Sequence, residues 1–374
     1  MLIQIHILQN YVPANLNRDD SGSPKSAVFG GYPRGRISSQ CLKRSIRRSE
    51  AFRDAFEADG LLADRTNRLP RLVNAELETM GVAEAARTAI INRLPEIGQR
   101  EGGGAAKEDD SEPKTRMLVY LTPAEVSQVA QKLWDLYQEQ GDKAFAKLAI
   151  KDIEAAMGHA APRSVDIAMF GRMTTSVAFE DVQAAVQVAH ALSTQRLVRE
   201  FDYFTAVDDL SGETGAGMIG DVELNSSTYY KYINIHWESL VDNLAGETET
   251  AVKAVVALIE AAAVAQPSGK QNSTAAQNLP DCVLVEVSQK NIPVSYANAY
   301  LEPAAQTYQA SLMQQSIKRL DDYARRLRTA YALNGRRAYF TTEPGASFDA
   351  AADVISLPAL QAWTAQQIRE AIDG

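Results

Sequence analysis

Soft metal ligands and thiol nucleophiles are scarce: 374 residues hold two cysteines and four histidines. Cys41 and Cys282 lie far apart and neither belongs to a Cys-x-x-Cys pair. That excludes a zinc-ribbon spacing and a disulfide framework, and it fits a reducing compartment. His6, His159, His190 and His236 share no metal-ligand spacing. A Gly-x-Ser-x-Gly elbow and a dinucleotide-binding glycine fingerprint are absent too. The most apolar long stretch, 251–265, is interrupted by Lys253 and Glu260 and is too short to span a bilayer. The first residues show no basic leader and no small-residue cleavage site. The expectation is a cytoplasmic protein with no metal, no cofactor and no membrane partner.

A net charge of −9 argues by itself against nucleic acid. The charge is unevenly spread, however. Between Arg18 and Arg48 stand Arg18, Lys25, Arg34, Arg36, Lys43, Arg44, Arg47 and Arg48, opposed only by Asp19 and Asp20. A basic patch on an acidic body binds a phosphate backbone in one place and repels it elsewhere.

Residues 2–8 alternate, with Ile3, Ile5 and Ile7 on one side and Gln4 and His6 on the other, as a half-buried strand does. His6 reads as a structural histidine rather than an acid or base. Residues 9–37 lack periodicity, carry seven glycines and prolines and predict a long loop. A helix is expected from about Ser39 to Ala58, capped by Ser38 or Ser39, with Leu42, Ile46, Phe52 and Phe56 as its apolar stripe. Residues 60–160 read as mainly helical, with a start at Thr122-Pro123, a short strand at 116–121 and a glycine-rich, charged loop from Gly102 to Pro113. Strands are predicted at 165–170, 182–192, 201–207, 228–236 and 282–287, and helices at 248–265 and 303–333. Residues 197–227 read as a hairpin with a glycine-dense tip at 212–220. The fold class is α+β, compatible with a ferredoxin-like sandwich carrying insertions. Such cores are common among RNA binders.

The strongest local signal for chemistry runs from Arg36 to Ser49. A helix N-terminus presents free N–H groups and a positive dipole end, so it suits a phosphate. Ser38, Ser39 and Gln40 add neutral donors there. Lys43 and Arg47, one turn apart, extend the positive surface, as do Arg44 and Arg48. Arg18, Arg34 and Arg36 precede the helix and can converge on its end, and Lys25 is counted with them as an RNA-binding candidate. Such a groove holds phosphates without reading bases. A merely solvated basic face is the bland alternative.

Several ordered motifs carry a resemblance: Leu16-Asn-Arg-Asp-Asp20, Lys25-Ser-Ala-Val-Phe-Gly-Gly31, Arg36-Ile-Ser-Ser-Gln40 with Leu42-Lys-Arg44, Asp166-Ile-Ala-Met-Phe-Gly-Arg-Met173, Asp202-Tyr-Phe-Thr-Ala-Val-Asp-Asp209 and Pro267-Ser-Gly-Lys-Gln-Asn272. Together they span nearly the whole chain, and in this order it closely resembles the backbone subunit of the type I-E CRISPR Cascade complex, the CasC family. Cys41 departs from the serine expected there and Arg47 from a common lysine. The resemblance implies an RRM-like palm (1–58, 164–196 and 228–374), a helical fingers insertion (59–163) and a β-hairpin thumb (197–227). It implies many copies stacked in a helical filament on crRNA, together with other Cascade subunits and target DNA paired to the guide. Sequence would then be read by base pairing while the protein holds the backbone.

Carried over residue by residue, the backbone contacts are Arg18, Ser38, Gln40, Lys43 and Arg47. Phe170, Arg172 and Met173 lie by a displaced base, and Lys270 is a further phosphate contact. Lys270 is not a P-loop lysine, because no glycine lies five residues before Gly269 and no strand leads into it. Phe201, Tyr203, Phe204 and Val207 offer apolar thumb surface for wedging between bases or stacking on them, or for ordinary hairpin packing. The resemblance implies no enzyme. The sharper rival is a metal-dependent RNase using Asp19 and Asp20, two carboxylates that bind Mg²⁺ in principle. The preferred reading pairs them with Arg18 or a neighbouring subunit.

Overall fold

The structure is a computed structural model that describes residues 1–97, 113–158, 164–174, 176–207 and 216–373. It divides into two compact units: Met1–Ala55 with Val186–Glu238 and Glu249–Gly374, and Phe56–Ala185 with Ser239–Thr248. The class is α+β, as expected.

The first unit is built on one sheet. Its elements are β1 (Leu2–Ala14), β2 (Ser26–Phe29), β3 (Tyr32–Ile37), α1 (Ser39–Arg48), β4 (Val186–Val188), β5 (Ala191–Ser193), β6 (Glu200–Val207), β7 (Ala216–His236), α2 (Thr248–Val264), β8 (Cys282–Ser288), α3 (Leu312–Tyr331), β9 (Arg336–Thr341), β10 (Ala352–Asp353) and α4 (Leu357–Asp373). The strands run β10-β9-β8-β1-β7-β5-β3-β2, with β4 and β6 also pairing to β7. All pairs are antiparallel except β9 with β10.

The alternation of β1 decides what each face carries. Ile3, Ile5 and Ile7 share a face with Lys231, Ile233, Val283 and Val285. Gln266, just past the end of α2, reaches that face, accepting from the Tyr11 hydroxyl at 2.6 Å and from Gln9 at 3.3 Å. Gln4, His6 and Leu8 share the other face with Tyr230, Tyr232, Leu284 and Glu286. Leu8, Tyr230 and Leu284 pack there with Met313, Ile317 and Leu320 of α3. His6 is fully buried on this face. Its ring stacks on Tyr296 at 4.5 Å, its Nδ1 meets the Tyr230 hydroxyl at 2.8 Å, and its Nε2 lies 3.6 Å from Glu286. Arg337 approaches Glu286 at 3.5 Å, and Tyr296 donates to it at 2.9 Å. Burial pushes the Glu286 carboxyl up, but His6, Arg337 and Tyr296 outweigh that and hold it below its ordinary range.

The second unit has its own core. Leu69, Val73 and Leu77 of one helix (Leu69–Thr79) pack with Val126, Val129 and Leu133 of another (Pro123–Gln140) and with Phe145 and Ile153. The Thr122-Pro123 start is a full capping box: Thr122 N–H donates to Glu125 Oε2 at 2.8 Å, and Glu125 N–H donates back to Thr122 Oγ1 at 3.1 Å.

Several elements differ from expectation. Residues 9–37 are not a loop. β1 runs on to Ala14, and β2 and β3 form a hairpin about Gly30 and Gly31, whose φ values of 61° and 82° make the two-residue turn. The helix expected to Ala58 breaks at Ser49, whose hydroxyl caps a new short helix, Glu50–Arg53. The strand expected at 165–170 is a helix, Val165–Phe170, capped by Ser164. A short apolar run has no period that separates the two. The strand expected at 182–192 is two short ones, β4 and β5. The helix expected from Pro303 starts only at Leu312, where Ser311 and Gln314 form a capping box. The Gly102–Pro113 loop up to residue 112, the hairpin tip at 208–215 and His159 lie outside the described residues.

Candidate nucleic-acid interface

Helix α1 begins at a crowded point. Ser38 is the N-cap: its hydroxyl oxygen accepts from Cys41 N–H at 3.3 Å, and its own N–H donates to Asn17 Oδ1 at 2.8 Å. Ser38 is therefore buried and engaged from inside rather than a surface donor. Ser39 N–H donates to His190 Nδ1 at 3.0 Å. Gln40 is exposed.

The preceding chain is stitched to this end. Lys25 N–H donates to Asn17 O, and Arg36 N–H donates to Lys25 O, both at 2.8 Å. Arg36 Nε donates to Ser26 O at 3.3 Å. Desolvation, then the charges of Arg36 and Lys25, hold the His190 pKa below its ordinary range. Burial raises the Cys41 thiol pKa, while Arg44 and Lys25 are near enough to oppose it. Lys25, Arg36 of β3 and Arg44 of the helix thus lie near the first turn. Arg18 is exposed and bridges to Pro24. Lys43 is half-exposed one turn before the half-buried Arg47.

A distant loop joins them. A Cβ at Gly269 would lie 2.4 Å from Leu16 O and 2.6 Å from Asn15 O, so only glycine lets the two chains approach so closely. The next residue, Lys270, is exposed beside the Asn15–Arg18 stretch.

Two arginines are corrected. Arg34 is fully buried. Its guanidinium donates to Ser193 O at 3.0 Å, Thr194 O at 2.7 Å, Gln195 O and Leu301 O at 3.3 Å each, and Tyr300 O. It clamps loops together and has no access to a phosphate. Arg172 is also buried, paired with Glu125 at 2.7 Å and donating to Tyr120 O and Glu180 O. Phe170, Arg172 and Met173 belong to the second unit; Phe170 is half-buried and Met173 is 92% exposed.

Asp19 does not pair with Arg18. Its Oδ1 accepts from Ser21 N–H at 2.9 Å, Ser21 Oγ at 2.7 Å and Ser23 N–H at 3.1 Å, which lowers its pKa. The carboxylate closes its own turn. Among the described residues no group of three His, Cys, Asp or Glu could hold a metal ion.

The hairpin of β6 and β7 shows apolar groups on both sides. Phe201 and Tyr203 are 65% and 64% exposed on one side, with Ile219. Phe204 lies on the other side over Gly220, where a Cβ would come within 2.6 Å of its ring. The hairpin's own packing therefore leaves these rings uncovered. The Val207 side chain lies outside the described residues.

Asn17 and His190 were missed by sequence reasoning. Asn17 hides in an irregular stretch. His190 reaches α1 only through the pairing of β3 with β5, which no local pattern announces.

A family model of CT1975-like proteins matches residues 3–363. No curated protein matches. Among solved structures, a chain of a "CRISPR RNA-guided surveillance complex, pre-nicking" is similar with a TM-score of 0.83 and 30% identity, over 98% of this chain and 100% of that one. A chain of another "CRISPR RNA-guided surveillance complex" is similar with a TM-score of 0.73 and 26% identity, over the same shares. No helix among the described residues is long and apolar enough to cross a membrane.

Proposed function

The chain belongs to the family of CT1975-like proteins, and from that premise we propose that it is a non-catalytic backbone subunit of a type I-E Cascade complex. In this reading it binds crRNA in the cytoplasm, polymerises along it beside other Cascade subunits, and presents it to target DNA. The similar chains come from CRISPR RNA-guided surveillance complexes, which supports the choice of partner. The observation that carries the reading is the first turn of α1. A capped helix end, where Gln40 is exposed, is ringed by Lys25 and Arg36 and followed along the helix by Lys43, Arg44 and Arg47. It offers donors and positive charge but no base-reading arrangement.

An RRM-like palm is supported by connectivity. Strand, helix, two strands, helix, strand (β1, α1, β4/β5, β7, α2, β8) in the spatial order β8-β1-β7-β5 is the ferredoxin-like 4-1-3-2 arrangement. The uncovered rings of the β6–β7 hairpin support its reading as a thumb that meets RNA or a neighbouring copy. The occupied carboxylate of Asp19 favours a structural role over a nuclease one.

The test is RNA affinity across a salt series. Affinity for single strands should fall with a slope of roughly −0.7 per neutralised phosphate. Replacing Lys43 and Arg47 together by alanine should flatten that slope equally for every guide sequence. A loss confined to particular guides contradicts the reading. Matched RNA and Mg²⁺ added to the assembled complex should give no cuts; regular cuts that vanish in Asp20→Asn make it a nuclease instead.

A further inference from the structure

The first amide of α1 does not meet open solvent. Ser39 N–H donates to His190 Nδ1 at 3.0 Å. The sheet puts the ring there: Arg36 faces Leu192 and Ile37 faces Ala191, so the same ladder continued brings His190 beside Ser38 and Ser39. A neutral imidazole that accepts through Nδ1 carries its proton on Nε2. The ring therefore takes in the helix's first donor and presents a new donor on another edge. His190 is exposed, so that edge is open to a ligand.

We propose that His190 is an RNA-binding residue, a neutral donor that relays the first amide of α1 to a backbone phosphate oxygen beside Lys25 and Arg36. The inference rests on the RNA-binding reading above. Two observations favour a neutral ring. Protonation would place a proton on Nδ1, where the Ser39 amide already points. Lys25 and Arg36 also repel a third positive charge, in line with the lowered pKa. An N–H donating to a ring whose own N–H donates to an anion forms a polarised chain, in which each bond strengthens the next. A neutral donor also adds affinity without releasing a counterion. This separates His190 from every lysine and arginine around it.

That distinction sets the experiment. Affinity for a fixed-length single-stranded RNA is measured across a salt series for the wild type, His190→Phe, His190→Gln and Lys43→Ala. His190→Phe should bind roughly tenfold more weakly at every salt, with the slope unchanged. His190→Gln keeps an acceptor and a donor on one side chain and should recover most of the loss. Lys43→Ala should weaken binding and reduce the slope by about 0.7. If His190→Phe binds like the wild type while Lys43→Ala weakens, the relay is wrong and the groove stands. If neither weakens, the RNA-binding reading itself falls. A reduced slope in His190→Phe means a charged contact and also overturns the relay. Should the variants not fold, ¹⁵N-histidine spectra of the wild type decide the matter. The His190 Nε2–H signal must shift when RNA is added, and an unmoved signal sinks the proposal.

Discussion

His6, Glu286 and Arg337 cluster on one face of the sheet under α3, whereas Lys25, Arg36 and Lys43 gather at the start of α1, which belongs to the other face. The first group is buried and neutralises itself through Glu286, Tyr296 and Tyr230. The second is half-buried at the surface and has no carboxylate partner among its stitching bonds, which run to backbone oxygens and to Asn17. Buried charge with its counter-charge is a device for fixing a fold, and removing one partner strands the other. Surface charge of one sign adds little to stability and is available to a ligand. Charged residues in this chain therefore divide by depth, not by type.

The sharpest way to break that comparison is to remove one cation from each group. Arg337→Ala leaves Glu286 buried without its arginine, and should cost about 3–5 kcal/mol in chemical denaturation. Lys43→Ala at the rim should stay within about 0.5 kcal/mol. Equal losses would mean the rim is structural too.

Arg34 comes next. It stands two residues before Arg36 yet is buried, and it is held by carbonyl oxygens rather than a carboxylate. Arg34→Met keeps an apolar stem but abandons those carbonyls, and should cost about 2–3 kcal/mol. Any folded fraction should keep the wild-type salt dependence toward RNA. Arg36→Met should do the reverse, leaving stability alone and weakening binding. If Arg34→Met melts like the wild type, its guanidinium is no clamp and the residue returns to the groove.

These two arginines also show what was legible beforehand. Their charge is plain in the sequence, but their depth is not. Arg34 is enclosed by Tyr300 and Leu301, more than two hundred positions away, and no local pattern foretells that cover. The cap at Ser38, the capping box at Thr122 and the alternation of β1 were readable because each is a short-range pattern with a short-range cause. The β2–β3 hairpin carried its Gly30-Gly31 turn signal openly, yet the surrounding glycines and prolines masked it. Asp19 is the opposite case. Its acidic neighbour suggested a metal, while Ser21 and Ser23 already supplied its partners. The apolar hairpin at 201–207 was found as a stripe, but only the register divides it, putting Phe201 and Tyr203 on one side and Phe204 over Gly220 on the other.

Lys231 gives the smallest effect and the finest test, because it belongs to neither group. It is buried beneath the first turn of α1, close to Cys41, with its ammonium donating to Gln9 and lying 5.8 Å from the Tyr11 ring centre. Among the described residues no carboxylate pairs with it. Burial alone drives its pKa down from 10.5 to about 7. The sign follows from proton counting. Below pH 7 both folded and unfolded chains carry the charge, and the folded chain bears the full penalty of burying it. Above pH 7 the folded chain releases the proton while the unfolded chain keeps it up to its ordinary range, so stability rises with pH. Between pH 7 and pH 8, before cysteines titrate, the gain should be about 1 kcal/mol. Lys231→Met should abolish that rise, as denaturation midpoints at the two pH values would reveal. A flat profile in the wild type would mean that the lysine keeps its proton. A cation buried without a counter-charge would then be tolerated on this face, and depth alone would no longer separate the two groups.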